Sequence, residues 1–146
     1  MASTISNATL TVVTTETVTL NGKVYGNSNT LTIANINEVD QRIVTVPTSQ
    51  IEILKYSTAA GAGQFVRANI KYMRITNKDD TNFVSLLIAD GGSDHYWVKL
   101  EAGKSFELHN GLVEAASPFS AWANIDTIEA IADTAAVDIE YFIALS

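Results

Sequence analysis

The chain has 146 residues, 47% of them hydrophobic, a net charge of −7 and no cysteine. That length and apolar content fit one domain with an ordinary core, and the absence of cysteine excludes disulfides, thiolate metal sites and a cysteine nucleophile. The negative charge argues against a nucleic-acid backbone as partner. The apolar runs, such as VSLLIA, fall far short of the ~20 residues of a membrane helix, so no membrane partner is expected either.

Residues 1–9 are small and polar and read as an extended N-terminal arm, without the basic and apolar regions of a signal peptide. Residues 10–146 read as a single domain. From Leu10 the pattern alternates: Leu10, Val12, Val18 and Leu20 on one side, Thr11, Thr15, Thr17 and Thr19 mainly on the other. β-Branched residues are stiff at χ1 and suit a pleated strand better than a helix. Asn21-Gly22 supplies the two positive-φ residues of a tight hairpin turn. A first hairpin is therefore expected over about 10–20 and 23–33, with Gly26–Asn29 breaking the return strand.

RIVTVPTSQIEILKYS then places two strand-like runs around Pro47, and TAAGAGQF reads as a loop. IKYMRITN, FVSLLIA, HYWVKLE and SFELH follow as strands separated by Asp-, Gly- and Asn-rich turns. Phe106 and Leu108 point one way, and Ser105, Glu107 and His109 the other. In the tail, DTIEAIAD admits a helix but reads better as a strand. VDIEYFIAL alternates Val137, Ile139, Tyr141, Ile143 and Leu145 with Asp138, Glu140, Phe142 and Ala144. A terminal strand this apolar is expected at the centre of its sheet. About ten short strands without a convincing helix predict an all-β fold: a single antiparallel β-sandwich, jelly-roll-like, with an extended N-terminal arm.

Catalytic chemistry finds little purchase. The two histidines, His95 and His109, have no sequence context of a Ser-His-Asp site, and no nucleophile elbow is present. Asp90–His95 and Asp79-Asp80 read as turns before they read as cation ligands. No phosphate-binding glycine motif occurs, so no cofactor, metal site or enzymatic activity is expected. Tyr96 and Trp97 are expected to face opposite ways, one toward a core and one toward a surface. Trp97 and Trp122 are the candidate exposed aromatic contacts, and a carbohydrate platform built on them is one reading.

Charge is unevenly spread along the chain. Residues 1–100 sum to zero, and residues 101–146 sum to −7. A solvated acidic surface is the plain explanation. The sharper one is contact between copies, with Arg67, Lys71, Arg74 and Lys78 on a basic side and Glu129, Asp133, Asp138 and Glu140 on an acidic side.

The central stretch, with RITNKDDTN at Arg74–Asn82 and VKLEAGKSFEL at Val98–Leu108, resembles small virion structural proteins of tailed bacteriophages, especially those of marine cyanophage type. The resemblance covers about a third of the chain and consists of strands and turns. It implies a non-enzymatic β-sandwich in the virion: a capsid decoration protein, homotrimeric, bound to the major capsid protein. A tail, neck or fibre-base component and a carbohydrate-binding module at a host surface are the alternatives.

Overall fold

The computed structural model of the chain describes residues 4–92, 95–109 and 125–146. Among the described residues thirteen strands run in order: β1 (Ala8–Thr15), β2 (Val18–Leu20), β3 (Lys23–Tyr25), β4 (Ser28–Ile36), β5 (Glu38–Val46), β6 (Ile51–Ser57), β7 (Phe65–Val66), β8 (Ile70–Asn77), β9 (Val84–Ala89), β10 (His95–Leu100), β11 (Ser105–Leu108), β12 (Thr127–Ala132) and β13 (Val137–Leu145). Among the described residues the one helical turn is a short 3-10 segment, Arg67–Asn69.

Two sheets form the body. One has the order β11-β8-β13-β5, antiparallel throughout. The other has the order β10-β9-β12-β6-β7, antiparallel except where the two-residue β7 lies parallel to β6. Leaving β7 aside, consecutive body strands change sheet at every connection but β9 to β10. The first and last body strands, β5 and β13, lie side by side. That is the connectivity of a jelly roll, two interlocked Greek keys.

Period-two alternation fills the space between the sheets. Met73 and Ile75 of β8, Leu86 and Ile88 of β9, Ile128 and Ala130 of β12, and Ile139 and Ile143 of β13 meet there, all buried. β13 is central, hydrogen-bonded to both β5 and β8, as its composition predicts. β12 is a strand and not a helix. Its buried residues Ile128, Ala130 and Ala132 recur every second position, which one face of a sheet can hide and one face of a helix cannot.

The first hairpin forms outside this body. β1 pairs with β4, and β2 with β3, making one two-stranded ribbon interrupted at Glu16-Thr17 and Gly26-Asn27. At its tip Asn21 (φ 51) and Gly22 (φ 79) hold the expected positive-φ turn. At the interruption Gly26 has φ 119, and a Cβ there would collide with the Glu16 carbonyl oxygen. Glu16 N–H still donates to the Asn27 carbonyl at 3.0 Å, so the ribbon is continuous across the break. Where the ribbon meets the body, β4 carries a bulge with Asn35 in the left-handed region (φ 62), turning the chain toward β5.

Candidate functional site

The sheet β11-β8-β13-β5 has one face in the core and one turned outward. Register defines rows on the outer face. Val39, Ala144 and Tyr72 form one row, Gln41, Phe142 and Arg74 the next, and Ile43, Glu140 and Thr76 a third. The base of the ribbon lies on part of this face: Leu10, Val12 and Ile33 pack against Tyr72, Phe142 and Ala144 in a small apolar cluster separate from the main core. Phe142 and His109 each meet Tyr72 edge-on, with ring centroids 6.0 and 5.4 Å away. The rest of the face, on β5, is uncovered, with Val39 55% and Ile43 62% exposed.

The outer part of the ribbon is equally bare. Every residue from 13 to 30 is exposed, including Val13, Val18, Leu20, Val24 and Tyr25. Val18 pairs with Tyr25 and Leu20 with Lys23, so these four share one face of the tip. Residues 4–7 of the N-terminal arm are exposed and precede the first strand, which begins at Ala8.

The charged candidates are interleaved on the same molecule. Arg74 forms an ion pair with Glu140 at 2.7 Å, both largely shielded from solvent, and also contacts the Thr76 hydroxyl. The Arg74 hydrogen bond holds the Glu140 carboxyl below its usual range. Lys78 shares an open polar groove with Asp79, Asp80 and Asp138. The Asp138 carboxylate accepts a hydrogen bond from the Thr45 hydroxyl at 2.6 Å. Arg67 is ion-paired with Asp126, and its Nε–H donates to the Ile125 carbonyl at 2.8 Å. Lys71 is the half-buried extra residue of a bulge, since Ile70 and Tyr72 oppose the adjacent Leu145 and Ala144. Glu129, on the outer face of the other sheet, accepts a hydrogen bond from Gln50, and Asp133 is exposed in the β12–β13 turn.

The polar residues of RITNKDDTN turn out to build the β8–β9 turn. Asn77, which is 1% exposed, donates through Nδ2 to the carbonyls of Asn82 (2.9 Å) and Leu100 (3.0 Å), and its Oδ1 accepts the Asp79 N–H. Asp79 Oδ1 in turn accepts the N–H groups of Thr81 and Asn82, each at 2.7 Å, which draws its carboxyl below the usual range. These side chains are occupied by the turn itself. Asp90 likewise caps its turn by accepting the Gly92 N–H at 2.7 Å.

Beside β5, an open groove of about 430 Å³ is lined by Asp40, Arg42, Ile53, Gln64, Phe65 and Tyr141. The Tyr141 hydroxyl donates to Asp40 Oδ2 at 2.7 Å, and burial, then that hydrogen bond, pushes its pKa up to about 12. A neutral phenol held by a carboxylate is a packing device, not an acid or base poised for neutral pH. Among the described residues no group of three or more His, Asp or Glu side chains could hold a metal ion.

The expected opposition of Tyr96 and Trp97 holds in register but not in burial. Tyr96 pairs with the core residue Ile88, and Trp97 with the outward Leu87, yet both are exposed, at 36% and 50%. β10 is the edge strand of its sheet, so even its inward side is only partly covered. Trp122 lies outside the described residues.

No protein-family model matches the chain, and no curated protein matches it. Among solved structures, a chain from Bacillus endospore appendages, described as a novel family of disulfide-linked pili, aligns over 74% of this chain and 84% of its own. The TM-score is 0.41 and the identity 14%, a likeness that carries no argument about fold or role. This chain has no cysteine with which to form a disulfide link.

Proposed function

We propose that this chain is a non-enzymatic structural subunit that works in many copies, and that its setting is the head of a tailed phage, as a trimeric decoration protein on the major capsid protein. The observation that carries the structural reading is the ribbon, a two-stranded element that bears exposed apolar side chains (Val13, Val18, Leu20, Val24 and Tyr25) and is held out from the jelly-roll body. A body with a completed core does not need it, and an isolated two-stranded hairpin is marginally stable at best in water. Exposed apolar surface of this kind marks a contact site. The virion setting draws its support from the resemblance of Arg74–Asn82 and Val98–Leu108 to phage structural proteins. Fold alone does not choose among structural, lectin and enzymatic roles.

The test is quantitative mass spectrometry of purified particles of the phage that encodes the sequence. A copy number that tracks the major capsid protein, with heads lacking the chain failing at lower temperature, supports decoration. A dozen copies or fewer moves it to the tail, neck or fibre base. Its absence from particles overturns the virion reading.

A further inference from the structure

We infer that the tip of the ribbon docks on the outer face of β5 in a second copy of this chain. This rests on the reading of the protein as a multi-copy structural subunit, and it names the contact.

The inventory of exposed apolar side chains identifies the occupant. The large exposed hydrophobics among the described residues are Ile5 of the arm, Val13, Val18, Leu20, Val24 and Tyr25 of the ribbon, Val39 and Ile43 of β5, and Tyr96 and Trp97 of β10. The ribbon therefore carries half of the set, and the body offers two small patches to receive it. Of these, the β5 patch continues a surface already made for a ribbon. Val39 lies in the same row as Ala144 and Tyr72, the residues on which the chain's own ribbon base rests. One ribbon covers the β8–β13 half of the band and leaves the β5 half open.

Reach agrees with this. From Val13 to Leu20 the ribbon extends by roughly 20–25 Å at ~3.3 Å per residue, past Val12, the last residue of β1 in the apolar cluster with the body. Between residues 17 and 26 the tip carries a single charge, Lys23, on the face it shares with Val18, Leu20 and Tyr25. β5 begins with Glu38 and Asp40 on either side of Val39. Both carboxylates alternate with Val39 and point to the opposite face, where Asp40 is held by the Tyr141 hydroxyl, so the contact is made by the apolar residues of the tip on Val39 and Ile43. The contact uses different surfaces on the two copies, so it is head-to-tail and either closes into a ring or runs on as a filament.

Complementary variants test it. Val18→Lys with Leu20→Lys damages only the ribbon tip. Val39→Lys with Ile43→Lys damages only the β5 face. All four positions are more than half exposed, so each variant is expected to keep the wild-type circular dichroism and melting transition of the body. Light scattering after size exclusion should show the wild type as a multimer and each variant alone as a single chain. Mixed in equal amounts, the variants should form a complex of one chain of each, because one intact tip meets one intact β5 face. A wild type that stays monomeric, a variant that keeps the wild-type mass, or a mixture that stays monomeric overturns the docking. If particles nevertheless contain the chain in many copies, the structural role survives and the ribbon's receptor is another virion protein.

Discussion

β13 and the ribbon are written in nearly the same language and end in opposite environments. β13 alternates Val137, Ile139, Tyr141, Ile143 and Leu145, none more than 4% exposed. The ribbon alternates Leu10, Val12, Val18 and Leu20 across β1 and β2, and its outer members, Val18 and Leu20, are 56% and 60% exposed. Alternation of β-branched and apolar residues specifies a strand and its two faces. It does not specify what lies against either face. β13 has a second sheet opposite it, whereas the ribbon tip has only itself. The chemical difference that remains is slight: threonines, with Val13 and Val24 among them, line the opposite face of the ribbon, whereas Phe142 and Ala144 line that of β13.

The largest effect that would sharpen this contrast lies in β13. Ile139 is 0% exposed at the centre of the core. Ile139→Ala removes buried methyl groups and leaves a cavity, and should cost about 2–5 kcal/mol in urea unfolding. A domain of this size holds only about 5–15 kcal/mol in all, so much of its stability would be lost. In the ribbon, Val24→Ala should change the same unfolding free energy by less than about 0.5 kcal/mol, because Val24 is 65% exposed. Comparable losses at the two positions would mean that the tip is buried in solution.

A middle-sized effect is expected at Asn77. Its side chain makes three hydrogen bonds that join the β8–β9 turn to the end of β10. Asn77→Ala leaves two carbonyls and an N–H without that partner, and should destabilise the body by about 1–3 kcal/mol in chemical denaturation. A neutral result would show that water takes over all three bonds, and that the motif is kept for some contact other than the turn.

How far this could be read from the sequence follows from the same division. The strands, the Asn21-Gly22 turn, the break near Gly26 and the central place of β13 all rest on local pattern, and local pattern is what a sequence displays. The jelly-roll class follows from strand number and spacing, whereas the order of strands within each sheet does not. What was not legible depends on which elements meet. Arg74 and Glu140 are 66 positions apart in the chain yet become partners because β8 and β13 are neighbours, so a basic middle and an acidic tail do not translate into two separate surfaces. Tyr96 is exposed because β10 is an edge, which no residue of β10 announces. The ribbon reads as an ordinary hairpin, since the absence of a covering sheet leaves no mark on its own residues.

The smallest change in overall stability, and the sharpest test of the contrast, is expected at Gly26. Its φ of 119 belongs to a region that side chains rarely adopt, and an added Cβ would meet the Glu16 carbonyl across the ribbon. Gly26→Ala must therefore shift the backbone where the ribbon is interrupted and loosen the Glu16–Asn27 link that carries pairing across it. Amide exchange should accelerate for Val18 and Tyr25, the hydrogen-bonded pair just beyond the break, while Ile139 and Ile143 keep their protection. The unfolding free energy should change by less than about 0.5 kcal/mol, because the jelly roll forms its core without the tip. If the ribbon tip is the docking element, the same substitution should weaken self-association without weakening the fold. A fall in the midpoint would instead make the ribbon part of the body's cooperative unit, and the two regions would differ only in how wet they are, not in whether the fold depends on them.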